Sequence, residues 1–253
     1  MNLNVRQLSI LEMIQKKGFC SVEMLSETLY FSPSTIRRDL TKLEEENLLY
    51  RKHGGAINLN GINSEIPLSL RENENRAIKN AIGQKAASFV NNGDAIIMDS
   101  STTVFHMVPH LLEKKNLTII TNGGQTALEL GSAHKFVVIC IGGLLRENSS
   151  SYVGTYAKVV LERIRAVKLF FSSRAIDLKH GITDISEEEA DLRRMMLAQS
   201  QRSYYLAESR KVGNVAFSNI CDVKDIDVFI TDSNFEITPA WKEQCSSIVI
   251  SPI

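Results

Sequence analysis

Over the first 56 residues, apolar positions recur at intervals of three and four, the spacing of amphipathic helices. In VRQLSILEMIQKKG this spacing sets Leu8, Leu11 and Ile14 on one face, and Gly18 stops the helix. Ser21 is placed to cap VEMLSETL, where Val22, Leu25 and Leu29 recur at helical spacing. Ser32-Pro33 then supplies an N-cap and a first-turn proline, in their preferred order, for a third helix. At about 100° per residue, Ile36, Leu40 and Leu43 cluster on one side of that helix. Ser34, Arg38 and Thr41 fall opposite, flanked by Thr35, Arg37 and Lys42. LLYRKHGGAI reads as a short hairpin with a basic tip at Arg51, Lys52 and His53, followed by two glycines free to turn.

The pattern breaks at INLNGINSE, rich in Asn, Gly and Ser, and then changes character. We read residues 1–57 as a small helical domain ending in a hairpin, 58–75 as a linker and 76–253 as a larger α/β domain. Beyond the break, short runs of β-branched and aromatic residues predict strands: AIIM (95–98), LTII (117–120), FVVICI (136–141), VKLFF (167–171), SYYLA (203–207), DVFIT (227–231) and SIVIS (247–251). Amphipathic segments such as TYAKVVLERIR and SEEEADLRRMMLAQS are long enough for crossover helices. Alternation of strand and helix implies a mainly parallel, Rossmann-like sheet covered on both faces, so the whole chain is α+β.

Composition narrows the partners. In 253 residues, 29 basic side chains balance 29 acidic ones, so any charged partner must be met by a local patch. Cys20, Cys140, Cys221 and Cys245 are scattered without CxxC spacing, which fits reduced thiols and a cytoplasmic protein. No apolar run approaches the roughly 18 residues of a membrane span, so no membrane partner is expected. Nothing in the spacing calls for a metal or a cofactor.

The third helix is such a local patch. Paired arginines on a helix are usually a solvated face. Here they follow a helix and a tight turn, sit near a capped N-terminus and precede a basic hairpin. That combination is the geometry of a recognition helix entering the major groove of double-stranded DNA, with a wing against the backbone or minor groove. Arginine reads guanine edges or grips phosphate, and Ser and Thr bond either bases or backbone. The candidate contacts are Ser34, Thr35, Arg37, Arg38, Thr41, Lys42, Arg51, Lys52 and His53.

The strands of the larger domain end in small polar residues: Asp99-Ser100-Ser101-Thr102-Thr103, Thr121-Asn122-Gly123-Gly124 and Gly142-Gly143. Ligands of open α/β sheets collect outside the carboxyl ends of the strands, and backbone N–H groups with hydroxyls form an anion site there without a metal. Any one of these turns is an ordinary strand-to-helix cap. DSSTT carries more hydroxyls than a single cap requires.

RQLSILEMIQKKGFCSVEMLSETLYFSPSTIRRDLTKLEEENLLYRKHGGAI, above all STIRRDL and HGGA, resembles the winged helix–turn–helix of the DeoR family of bacterial transcriptional regulators. MDSSTT, ITNGG, IGG with SYVG, HGITD and LAESRKVG extend the resemblance over almost the whole chain. It implies a ribose-5-phosphate-isomerase-like domain sensing a phosphorylated sugar, and a homo-oligomer, dimer or tetramer, that represses carbohydrate genes from operator DNA. It also places Lys211 at the pocket beside Glu208 and Ser209, with Gly154 from SYVG. Arg146 adds a loop cation, and Asp177 is placed to accept from a sugar hydroxyl. Two segments depart from the family: ESRK stands where DSSK is usual, and SSRAID where GASGID is common, which brings in Arg210 and Arg174. The alternative is an aldose–ketose isomerase using Asp99, Glu208 and Lys211. Such an enzyme needs a base and an enediolate stabiliser, and the acidic cluster of the isomerases is missing from VKLFFSSRAID, so no catalytic residue is assigned.

Overall fold

The computed structural model describes residues 3–46, 48–52, 54–58 and 68–252. His53 and the Asn/Gly/Ser-rich stretch 59–67 lie outside them. The chain divides into two compact units, Met1–Glu74 and Asn75–Ile253.

The first unit runs α1 (Val5–Lys17), β1 (Phe19–Ser21), α2 (Val22–Leu29), α3 (Pro33–Glu45), β2 (Leu49–Lys52), β3 (Gly55–Asn58) and α4 (Leu68–Asn73). Each early helix begins on a side-chain cap: Asn4 accepts from Gln7 N, Ser21 from Met24 N and Ser32 from Thr35 N. Gly18 closes α1 at φ 75°. Ile36, Leu40 and Leu43 of α3 join Ile10, Ile14, Val22, Leu25 and Leu49 in one core. Three expectations are corrected. Leu8 is exposed and Leu11 only partly buried, and α1 buries Gln7 and Ile10 beside the expected Ile14; with apolar residues at 8, 10, 11, 13 and 14, several helix faces fit the pattern equally well. The region is not helix and hairpin alone, because Phe19, Cys20 and Ser21 pair with Ile57, Ala56 and Gly55 and make the wing a three-stranded sheet, β1-β3-β2. The stretch read as linker carries α4.

The second unit opens with α5 (Arg76–Ala87), β4 (Ala95–Met98), α6 (Thr102–Phe105), α7 (Val108–Leu111), β5 (Thr118–Thr121), α8 (Gly124–Ser132) and β6 (Val137–Cys140). A hairpin, β7 (Leu144–Arg146) and β8 (Ser151–Val153), leads to α9 (Thr155–Glu162) and β9 (Lys168–Phe171). Then come β10 (Ala175–Asp177), β11 (Gly181–Asp184), α10 (Glu187–Ala198), β12 (Ser203–Leu206), β13 (Ser218–Cys221), β14 (Val228–Asp232), α11 (Pro239–Gln244) and β15 (Ile248–Ser251). The seven predicted runs form one sheet, β15-β14-β12-β9-β4-β5-β6, in which every pairing is parallel. The hairpin β7-β8 and the antiparallel sheet β10-β11-β13 are additions that the sequence reading did not contain.

Alternation along the strands builds the two cores. Ile96, Met98, Phe170, Tyr204 and Leu206 face one way and pack with Ile82, Val104, Val108 and Leu130 of α5 to α8. Ile97, Leu169, Phe171 and Tyr205 face the other way, onto Ala157, Leu161, Leu192, Met196 and Trp241 of α9 to α11. Strand order reverses at β4, since β5 and β6 lie to one side and β9, β12, β14 and β15 to the other. Right-handed crossovers running in opposite directions place their helices on opposite faces. The ends of β4 and β9 are therefore the topological switch point, where a ligand crevice is expected.

Gly143 leads β6 into the hairpin at φ 119°, and a Cβ there would stand 2.5 Å from the Val153 carbonyl oxygen. Gly143→Ala is expected to lower stability by about 1–3 kcal/mol through this strain. A urea midpoint equal to that of the unaltered protein would show that the turn yields.

Candidate functional site

On α3, Ser34, Arg37, Arg38 and Lys42 are exposed, and Thr35 and Thr41 are partly so. Ser32 Oγ lies 2.9 Å from Ser34 Oγ and 2.8 Å from Thr35 Oγ1, so the leading hydroxyls form one cluster at the helix start. One threonine and one glutamate further along the helix bind the wing. Thr41 Oγ1 accepts from Arg51 Nη1 at 2.8 Å, and Glu44 Oε1 accepts from the Arg51 backbone N–H at 2.8 Å. These bonds fasten β2, hence the wing, to the recognition helix. On the inner side, Asp39 is buried and pairs with Arg6, whose guanidinium also stacks 4.6 Å above the Phe31 ring. Tyr30, in the turn between α2 and α3, is 92% exposed at φ 58°.

In the second unit the parallel register brings the strand ends to one rim. Met98 pairs with both Thr121 and Phe170, Thr121 with Cys140, and Tyr205 with Phe171. Asp99 to Thr103, Thr121-Asn122, Gly142-Gly143 and Ser172-Ser173 thus leave adjacent strands at the same level. Lys211, in a short 3-10 turn after β12, reaches across: its Nζ donates to Ser172 Oγ at 3.0 Å and to the Ser173 carbonyl at 2.8 Å. Desolvation lowers the Lys211 pKa to about 8; Glu208 opposes the shift, and Lys79 and Arg210 add to it. Glu208 is itself buried and bonded to Asn75 at 2.6 Å and to Arg210 at 2.9 Å.

Asp99 is fully buried and does not offer its carboxylate to a ligand. Oδ1 accepts from Ser101 N and Ser101 Oγ, and Oδ2 from Ser172 N at 3.1 Å and Arg193 Nε at 2.9 Å. It joins the β4 and β9 loops at the switch point. Ser101 caps α6, while Ser100, Thr102 and Thr103 are buried around it. Arg193, which the sequence reading missed, is the centre of this framework. Its guanidinium bonds Asp99, Asp184 at 3.1 Å and Glu189 at 3.0 Å, with 5% of the side chain exposed. Burial opposes the charge on Arg193, but the three carboxylates raise its pKa above the ordinary arginine value. Burial likewise pushes Glu189 upward, yet Arg193, the Ser151 hydroxyl and Arg146 outweigh it and bring its pKa to about 2. The available signal was the Glu189/Arg193 spacing of four within SEEEADLRRMM, in phase with buried Met196.

The remaining expected residues separate. Arg146 ends β7 with Nη1 3.2 Å from Glu189 Oε1, which ties the hairpin to the Arg193 framework. Gly154, at φ 86°, turns β8 into α9. Asp177 does not stand free: its Oδ1 accepts from Lys179 N, His180 N and His180 Nδ1, closing the β10-β11 turn. Burial works against its charge, but the His180 and Lys179 donors leave its pKa lowered. A cavity of 380 Å³ lined by Arg194, Gln201, Ser203, Cys221 and Asp227 opens at the amino-terminal ends of β12 and β14, the opposite end of the sheet from the polar rim. Among the described residues no group of three or more His, Cys, Asp or Glu is arranged to hold a metal, and no helix is long and apolar enough to cross a membrane.

A winged helix–turn–helix with an exposed basic reading face, carried in one chain with a parallel α/β unit bearing a polar switch point, defines a DNA-binding regulator with a sensor domain. Residues 6–60 match the DeoR-like helix-turn-helix domain and residues 74–233 the DeoR C terminal sensor domain. The chain belongs to the DeoR family of transcriptional regulators. It is 39% identical over 231 residues to an uncharacterized helix–turn–helix regulator of Bacillus subtilis, covering 91% of this chain and 89% of the relative. It is 33% identical over 237 residues to the lactose phosphotransferase system repressor of Staphylococcus aureus, covering 92% and 93%. A solved D-ribose-5-phosphate isomerase in complex with phospho-erythronic acid aligns with 54% of each chain at 10% identity and a TM-score of 0.41.

Proposed function

We propose that this regulator represses genes of carbohydrate use and releases its operator when a phosphorylated sugar binds at the rim between β4, β5, β9 and β12. The observation that carries this reading is Lys211, a desolvated cation bridging Ser172 and Ser173 at the switch point of the sheet. A phosphate placed there meets a charge that water screens only in part. The relative named lactose phosphotransferase system repressor supports the sign of control. Residues 1–57 read DNA, 58–75 join the units and 76–253 sense the effector. The protein acts as a dimer or tetramer, because paired half-sites about one turn of DNA apart are read by paired helices. Effector binding shifts the population of oligomer geometries competent for the operator.

Operator release measured against a panel of pentose and hexose phosphates tests the reading; no release by any phosphorylated sugar removes it. Arg38→Ala is expected to weaken operator binding by about 1–3 kcal/mol and to relax sequence preference if Arg38 reads a base. Lys52→Ala is expected to weaken binding evenly across sequences and flatten its salt dependence by about one unit of slope. Gel-shift titrations at several salt concentrations check both, and unchanged binding in the two variants would remove the helix-and-wing assignment.

A further inference from the structure

At the rim of the sheet, Asn122 holds a buried polar atom with no partner among the described residues. Its side chain follows the last residue of β5 and is 3% exposed. Nδ2 donates to the Tyr152 carbonyl at 3.3 Å and toward Ser100 Oγ at 3.4 Å. The carbonyl requires a donor, which fixes the nitrogen on that side and turns Oδ1 the other way. Oδ1 is buried and accepts no hydrogen bond. A buried carbonyl oxygen left in this state is costly, and the great majority of such groups are satisfied.

The two ends of the rim differ in chemistry. Toward β9 and β12 stands the Lys211 ammonium with Ser172 Oγ. Toward β5 stand neutral groups, Asn122 Oδ1 and the Ser100 hydroxyl. β4 lies between β9 and β5, so the ends of those two strands are two strand spacings apart, about 10 Å. A free phosphate is too small to touch both ends. A phosphorylated polyol can, with its anionic end at Lys211 and a hydroxyl at Asn122.

We infer that Asn122 is a specificity-determining residue of the sensor: a hydroxyl at the sugar end of the effector donates to Asn122 Oδ1 while the phosphate lies toward Lys211, so the effector spans β4 in one orientation. The inference rests on the sugar-phosphate reading above. Asn122 selects against ligands that lack the hydroxyl, because these leave the carboxamide oxygen unpaired, a form of discrimination worth far more than loss of a methylene.

The test measures affinity by calorimetry for two probes, inorganic phosphate and the tightest binder from a panel of pentose and hexose monophosphates. Asn122→Ala should weaken the sugar phosphate at least tenfold and move inorganic phosphate less than twofold, whereas Lys211→Met should weaken both. Equal effects of Asn122→Ala on the two probes, or no effect on either, would overturn the orientation while leaving the sensor reading in place. Failure of every probe to bind the unaltered protein would overturn the sensor reading itself and the orientation with it. If Asn122→Ala does not fold, deoxy analogues of the same sugar phosphate are tested on the unaltered protein. Loss of one particular hydroxyl should then cost at least tenfold, and small uniform losses at every position would refute the assignment.

Discussion

Arg193→Met is expected to destabilise the sensor unit by about 3–5 kcal/mol at pH 7, the cost of leaving buried carboxylates without their cation. Asp99 is 0% exposed and Glu189 7%, and both depend on the same guanidinium. The loss should also reach ligand binding, since Asp99 holds the β4 loop to Ser172 of the β9 loop. The pH dependence provides a check. In the unaltered protein Glu189 titrates at about 2 against an ordinary 4.5, so its contribution is complete above pH 4.5 and is lost as pH falls toward 2. In Arg193→Met, burial acts on Glu189 without its main counter-charge and raises its folded pKa above the unfolded one. The variant should therefore gain stability relative to the unaltered protein as pH is lowered from 7 to 5. Urea unfolding at these two pH values measures both effects. A loss below 1 kcal/mol with parallel pH profiles would show that the carboxylates find other partners.

Lys211→Met is expected to separate stability from binding. Its ammonium is partly desolvated, with a folded pKa of about 8 against 10.5, so in the folded state the charge is disfavoured. By linkage, this penalty is complete below pH 8 and is relieved as pH rises from 8 to 10.5, where the unfolded chain still holds its proton. Methionine removes the penalty, and the variant should be at least nearly as stable as the unaltered protein at pH 7. Phosphate binding should fall by roughly 10- to 100-fold, the worth of a charge-assisted hydrogen bond of about 1.5–3 kcal/mol. In the unaltered protein affinity should already decline between pH 7 and 8, where Lys211 begins to lose its proton, and weaken further above pH 8. The variant should lack that decline. Affinity measured between pH 7 and 9.5 decides the matter, and the same decline in both proteins would assign it to another group.

How far these features could be read in advance depends on whether burial leaves a period in the chain. The seven strands of the main sheet were legible because both faces of the sheet are covered, which demands apolar runs such as AIIM and KLFF. The hairpin carrying Leu144 and Leu145 was not, since both residues are exposed and give no alternation. β1, β10 and β13 are three or four residues long and owe their pairing to distant partners. The recognition helix was legible down to its cap, because Ser32, Pro33 and the 36/40/43 stripe all act locally. At the proposed sensor site, Ser100, Asn122 and Lys211 come from motifs that end strands or follow them. Arg193 lies inside a helix and acquires its role only when the fold carries Asp99, 94 positions away, against it. Asp177 shows the converse: a carboxylate in a motif was bound by its own turn.

The bonds from Thr41 and Glu44 to Arg51 make the reading head a single pre-shaped body. Ordering of wing against helix falls on folding, so operator binding need not include it, and affinity gains what a flexible arm would lose. The same rigidity constrains change. On the proposed helix-and-wing assignment, a substitution at Thr41 or Glu44 that alters the angle of the wing should shift backbone contacts and base contacts together, so operator preference and general grip on DNA should change in step at these two positions.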